Sequence, residues 1–308
     1  MNVWHTILPY IISGISVGGQ YALIAIGYTM VYGILRLINF AHGDVFMVAG
    51  LMMVYLASST PLYIAMPIMI VSTVILGFVI ERVAYKPLRT APRMSVMISA
   101  IGVSYLLQNL ALYITGGLNK NYPSIPWISD SIKIFGMDTT RVTVITPFLT
   151  LILVVILVLI IKKTKIGMAM RAVSKDFETA QLMGIKINRV ISATFIIGTF
   201  LAAIASLLFF TNYPGVVPTS GSMPGLKAFV AAVFGGIGSI PGAVIGAFII
   251  GICESVIKGL DTILVTHGVV AEQVGFATFS DAFTFVLLII VLVFKPTGLF
   301  GEKTTDKL

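Results

Sequence analysis

Between residues 142 and 161 the chain carries no charged side chain, and between 190 and 226 it again carries none. Uncharged runs of about 20 and about 37 residues are long enough to cross a hydrocarbon core, which takes roughly 20 residues of helix. The segment between them, residues 162–189, must then lie in water at one membrane face. It holds Lys162, Lys163, Lys165, Arg171, Lys175, Lys186 and Arg189 against only Asp176 and Glu178. Short loops this basic stay on the cytoplasmic side.

Composition agrees. Hydrophobic residues make up 57% and charged residues 10% of the 308 positions, and the mean hydropathy is +1.02. A soluble domain carries roughly 25% charged residues. The formal net charge is +8, which raises the question of nucleic acid. Its distribution answers that question, because residues 82–93 and 162–189 hold eleven of the 20 lysines and arginines. Such clustering encodes membrane topology rather than a phosphate-binding face, so no nucleic-acid partner is expected. Cys253 is the sole cysteine, which excludes an intrachain disulfide or a thiolate metal cluster. The first residues lack a positively charged leader, so the first apolar stretch is expected to be a retained span.

The remaining runs predict an all-α, polytopic transmembrane helical bundle of about eight spans, forming a single domain over 1–308. Span 1 fits within 7–35, where Gly14 and Gly18 stand four apart and allow close helix packing. Spans follow at about 44–58, 62–81, 94–115, 142–161 and 190–211. Arg82, Lys86, Arg89 and Arg93 place the loop after span 3 inside, on the same side as residues 162–189. Residues 116–141 are expected outside, as is a second segment at about 259–278. Within 226–253, Gly235, Gly236, Gly238, Pro241 and Gly242 break the helix. Irregular backbone at membrane depth is tolerated only when protein shields it or a wet cavity borders it. A half-helix, a turn and a second helix are predicted there, as a re-entrant pair or a broken span. A last span at 279–294 leaves Lys295, Lys303 and Lys307 inside. No strong internal repeat is visible.

Inside the basic segment the spacing predicts a short helix. Ser174 is a suitable N-cap, Asp176 and Glu178 suit its positive end, and Gly184 suits a left-handed stop. Phe177, Ala180 and Met183 fall on one face, with Thr179 between. Such a helix either docks on a soluble partner or merely links two spans.

Other polar residues are few. Asn39, His42 and Asp44 form a cluster that either fixes a turn between spans 1 and 2 at the cytoplasmic side or relays protons. A metal site needs three or four ligands, so none is expected. Gln108 and Asn109 in span 4 are costly if left unpaired in lipid; they serve as packing contacts between helices or meet a passing solute. Glu254 and Lys258 stand at i, i+4, and Asp281 is expected at the interface. Lys163-Thr164 and Lys303-Thr304 lack the glycine-rich lead of a phosphate loop, and no nucleophile elbow or His-Glu-x-x-His pattern occurs. No catalytic residue is assigned.

Glu178, Ala180 and Gly184 match the E-x-A-x-x-x-G core of the cytoplasmic loop of ATP-binding-cassette (ABC) importer permeases. The longer frame of Gly167, Arg171, Ala172, Val173, Met183, Ile185, Asn188 and Val190 resembles the branched-chain amino acid permeases, the H-type subunit in particular. So do the stretches 21–27, 38–44 and 235–242. Two features depart from other ABC importers: Thr179 replaces the middle alanine, and no Leu-Pro follows the glycine. The resemblance implies a permease for leucine, isoleucine and valine in a bacterial cytoplasmic membrane. It implies a second homologous permease, two ATPase subunits carrying ATP and magnesium, and an external substrate-binding protein. Residues 174–184 would be the coupling element to the ATPase. Two rivals remain: an ion-coupled secondary transporter built around Gly235–Gly242, and an ABC permease for another small solute such as a sugar, urea or an amide.

Overall fold

The computed structural model describes residues 3–89, 91–134, 137–266 and 279–301. Part of the expected second outer segment, 267–278, and the C-terminal Lys303 and Lys307 lie outside the described residues.

Among the described residues, six helices are long and apolar enough to cross a membrane. They are α1 (Val3–Leu35), α3 (Leu62–Ile80), α4 (Arg93–Thr115), α5 (Arg141–Lys163), α8 (Ile187–Asn212) and α10 (Ile240–Thr266). Three shorter apolar helices join them: α2 (His42–Ala57), α9 (Ser222–Gly235) and α11 (Ser280–Phe294). Two small helices, α6 (Lys165–Lys175) and α7 (Phe177–Leu182), lie in the basic segment. Of the expected outer segment 116–141, a hairpin takes part: β2 (Ser131–Ile134) pairs antiparallel with β3 (Met137–Thr140). The two-residue strands β1 (Lys120–Asn121) and β4 (Gly215–Val216) tie the loop after α4 to the loop after α8.

The core forms around α1, whose inner face from Tyr21 to Val31 is almost wholly buried. Its small residues decide what it meets. An ideal Cβ on Gly14 would lie 2.8 Å from the Ile252 Cα, and one on Gly18 would lie 2.7 Å from the Phe248 Cα. The four-residue glycine spacing thus lets α1 and α10 touch backbone to backbone, where dispersion between close-packed chains replaces a hydrophobic drive that lipid cannot supply. By contrast, α5 turns Phe148, Leu151, Ile152, Val155, Ile156 and Leu159 outward, a wholly apolar face suited to lipid.

Chain direction follows from contacts at the basic face. Arg36, just past α1, donates to the Ser174 carbonyl at 3.3 Å, so α1 ends beside α6. From there the chain turns back into the bundle. His42 packs against Gly27, eight residues or about 12 Å before the end of α1. Asp44 meets Ser104 and Gln108 halfway along α4. The expected cytoplasmic-edge position of His42 and Asp44 is therefore corrected: α2 starts inside the bundle and runs outward. α9 does the opposite. It starts at the same depth, since a Cβ on Gly43 would lie 2.6 Å from the Gly221 carbonyl oxygen and 3.0 Å from the Gly225 Cα. From there it runs toward the basic face. A long helix, a returning loop and a short helix thus occur twice, in opposite directions, and the two short helices begin at one point. This internal repetition in form is invisible in the residues themselves.

The predicted break at 235–242 is a tight turn between α9 and α10. Gly236 and Gly238 have φ of +110° and +98°, a region that side chains with a Cβ disfavour. Gly235 and Gly242 leave no room for a Cβ because each faces the other's carbonyl. The C-terminal segment seals the turn, with Leu299 N–H donating to Phe234 O and Phe300 N–H donating to Gly235 O, both at 2.9 Å. The last carbonyls of α9 thereby gain partners that a helix end lacks.

Candidate functional site

The basic segment folds as two helices where one was expected. Thr164 caps α6, its hydroxyl oxygen accepting from Gly167 N–H at 3.1 Å. α6 then continues through Ser174, whose hydroxyl donates to the Arg171 carbonyl. Ser174 is therefore not the cap of the short helix. Asp176 is: its carboxylate accepts from the Thr179 N–H at 3.0 Å and the Thr179 hydroxyl at 2.7 Å. Glu178 follows in the first turn, where its charge favours the positive helix end. Gly184, at φ +82°, closes the helix. Ile185 N–H donates to Ala180 O, and Gly184 N–H to Gln181 O, a Schellman arrangement.

The apolar face also differs from the expected one. Ala180 is buried at 4% exposure against the rest of the chain, so it anchors α7 instead of docking. Leu182 and Met183 are 86% and 79% exposed, and Phe177, at the other end of α7, is exposed as well. Two large apolar side chains standing in water at the end of a capped helix form a surface ready to be covered. Beside it, Arg89 pairs with Glu81 and donates to Asn188. Partial burial draws the Arg89 guanidinium below its usual value, with the Glu81 carboxylate opposing that shift.

At the junction of the short helices Asn39 and Asp44 are bound by side chains of other elements, while the buried His42 Nε2 has no hydrogen-bond partner among the described residues. The Asn39 amide oxygen accepts from the Tyr85 hydroxyl at 2.7 Å. Asp44 accepts from the Ser104 hydroxyl and, at 2.9 Å, from the Gln108 amide. Asp44 lies in the first turn of α2, so its carboxylate also faces a positive helix end. His42 fills a notch bordered by Gly27 and Gly198, with the Tyr28 ring edge-on at 5.1 Å. Asn109 stands apart. It is exposed on α4 between Tyr105 and Tyr113, and among the described residues its amide reaches only the Tyr105 carbonyl, at 2.8 Å. Of its two expected roles, the packing contact between helices is not made by Asn109 within this chain.

A cluster that joins the expected Glu254–Lys258 pair and Asp281 to Lys227 and Tyr21, two residues that sequence reasoning missed, lies toward the outer half. Lys227 of α9 is buried and pairs with Glu254 of α10 at 2.9 Å and Asp281 of α11 at 2.6 Å. Glu254 also accepts from Lys258 at 2.7 Å and from the Tyr21 hydroxyl at 3.1 Å. Asp281, in the first turn of α11 and 40% exposed, also joins α11 to α9. The available signal was Lys227 itself, a lone cation in a long apolar stretch, which is costly unless paired.

Comparison with known proteins reports on the same features. A family model described as "Branched-chain amino acid transport system / permease component" matches residues 10–292. The high-affinity branched-chain amino acid transport system permease protein BraD of Pseudomonas aeruginosa is 40% identical, over 99% of each chain. The corresponding LivH of Salmonella typhimurium is 39% identical over 97% of each chain. The ribose import permease RbsC of Haemophilus influenzae is 26% identical, over 78% of this chain and 74% of its own. With a match that reaches every apolar helix among the described residues, the chain belongs to the family of branched-chain amino acid transport system permease components.

Proposed function

We propose that this chain is the membrane-spanning subunit of an ATP-binding-cassette importer that carries leucine, isoleucine and valine across the cytoplasmic membrane. The observation that carries the reading is the exposed apolar end of α7, Leu182 and Met183 with Phe177. It sits on a helix capped by Asp176 and stopped by Gly184, in the basic segment between two spans. An element of that kind transmits force only if something soluble grips it. The partners proposed are two ATPase subunits at α7, a second homologous permease and an external substrate-binding protein. ATP and magnesium belong to the ATPases.

Solute passage is proposed along the face of α4 that carries Asn109, with Gln108, Asp44, His42 and Asn39 behind it. A carboxamide exposed to hydrocarbon costs a few kcal/mol, so this face is suited to a second permease and a hydrated path rather than to lipid. The outward face of α5 has no such residue. Gly235, Gly236, Gly238 and Gly242 are assigned to the shape of the α9–α10 turn.

The test is co-expression with the candidate ATPases and second permease, reconstitution in liposomes, and uptake of leucine and of ribose with the binding protein added. Leucine uptake that needs ATP and the binding protein supports the reading. Uptake of ribose alone would move the chain to the sugar permeases, and uptake driven by an ion gradient without ATP would make it a secondary transporter.

A further inference from the structure

The seam between α3 and α8 has a different chemistry from the rest of the surface. Its upper part is closed, because Gly77 lies directly under Thr199 with no space for a Cβ. Toward the basic face the seam opens into a groove of about 270 Å³. Phe78, Ala193 and Ile196 form its apolar wall, and Arg82 and Arg189 stand at its mouth. The wall continues up the outside of the bundle through Ile75 and Phe200, both exposed.

The charges at the mouth do not balance. Glu81 is fully buried and fully used: one oxygen takes Arg89 and the other accepts from the Ser192 hydroxyl at 2.8 Å. No carboxylate is left for Arg82 or Arg189, and neither makes an ion pair among the described residues. Arg82 is not free to wander, because its guanidinium lies 5.4 Å above the centre of the Phe78 ring. That contact holds a cation against the groove wall. Two guanidiniums thus converge where a membrane-facing apolar slot meets water.

We propose that this groove binds an anionic phospholipid of the cytoplasmic leaflet, its phosphate on Arg82 and Arg189 and one acyl chain along Phe78, Ala193 and Ile196. Guanidiniums bind phosphate oxygens in pairs, and basic pockets between helices on this side of a membrane suit anionic headgroups. A free phosphate ion supplies the charge but leaves the apolar wall uncovered. A soluble protein reaches the arginines from below, yet it cannot follow the wall upward past Ile196 and Phe200 into hydrocarbon. The lipid would brace α3 against α8 on the flank of the coupling surface.

Native mass spectrometry and thermal unfolding of the purified full chain test this, with phosphatidylglycerol, phosphatidylcholine or inorganic phosphate added at equal concentration. Phosphatidylglycerol is expected to give retained adducts and to raise the unfolding temperature more than the other two. Arg82→Ala with Arg189→Ala is expected to weaken phosphatidylglycerol binding about 30-fold, at about 1 kcal/mol per arginine. Lys175→Ala, a charge loss elsewhere in the basic segment, is expected to leave binding unchanged. If the double variant folds poorly, Ile196→Trp fills the slot while keeping both arginines, and it too is expected to lose the adduct. Equal stabilisation by inorganic phosphate, or unchanged phosphatidylglycerol adducts in either variant, overturns the proposal. So does a double variant that keeps its lipid but loses co-purifying ATPase, which would assign the arginines to a protein contact.

Discussion

Gly43, in the first turn of α2, touches Gly221, the residue before α9, backbone to backbone. A Cβ on Gly43 would lie 2.6 Å from the Gly221 carbonyl oxygen. The start points of the two short helices meet here, where Gly225 also approaches Gly43, and the helices run in opposite directions from it. Gly43→Val is expected to separate them and to destabilise the bundle by about 1–3 kcal/mol, the usual cost of overpacking. Gly33→Ala is the control, since nothing lies within 4 Å of its Cβ position and a helical glycine gains stability from that change. Membrane levels and thermal unfolding of the purified chain measure both. Equal levels and equal unfolding temperatures for the two variants would contradict the locked junction.

Much of this architecture is legible in the residues, and what is hidden has a physical reason. The runs without charge, the basic loops and the glycine-rich turn at 235–242 each announce themselves locally. The position of α2 does not. Asn39, His42 and Asp44 are polar, and polar residues beside an apolar run read as the edge of a membrane. Their partners Tyr85, Ser104 and Gln108 lie 46, 60 and 64 residues further along, so only the folded chain reveals that they belong inside. Ser174 misleads in another way. Serine and aspartate cap about equally well, and the decision falls to the upstream helix, which has no breaker before Asp176 and runs through Ser174.

Asp44 joins α2 to α4 by accepting from two side chains of α4, and its removal takes that acceptor from both. Asp44→Leu leaves the Ser104 hydroxyl without its acceptor and the Gln108 amide with only the Ser104 Oγ at 3.4 Å, at about 1–3 kcal/mol for a buried group that loses its partner. Ser104→Ala removes only one donor and is expected to cost about 0.5–1.5 kcal/mol. A double-mutant cycle on thermal stability should show that the two effects are not additive. Strict additivity would mean that Asp44 and Ser104 act independently.

The cluster around Glu254 makes an ordered expectation about single substitutions. Glu254 serves Lys227, Lys258 and Tyr21, whereas Lys227 serves Glu254 and Asp281. Breaking a buried pair by removing one partner costs about 3–5 kcal/mol, because the other charge is left uncompensated. Glu254→Gln is therefore expected to reduce folded protein more than Lys227→Met, since it leaves buried Lys227 only the half-exposed Asp281, whereas Lys227→Met leaves buried Glu254 its pair with Lys258. Replacing both at once is expected to recover part of the loss. Quantitative recovery of monodisperse protein by size-exclusion chromatography reads the order, and a milder effect for Glu254→Gln would reverse this view of which residue holds the cluster.

The surface of α7 separates coupling from folding. Ala180 faces inward, while Leu182 and Met183 face water, so substitutions at neighbouring positions should fail in different ways. Ala180→Asp buries a carboxylate against the chain and is expected to lower the amount of folded protein. Leu182→Asp with Met183→Asp alters no internal contact and is expected to leave membrane levels unchanged. It removes the apolar area a partner covers, and burying a leucine or methionine side chain is worth about 1.5–3 kcal/mol. ATPase co-purification should fall by at least about tenfold, since each 1.4 kcal/mol is a factor of ten, and leucine uptake should fall with it. Asp176→Ala removes the cap of α7 at a cost of about 1 kcal/mol, so it is expected to weaken coupling partway. The measurement pairs ATPase retention on the purified complex with uptake in liposomes. Full retention and full uptake by the Leu182→Asp, Met183→Asp variant would leave α7 as a connector between spans.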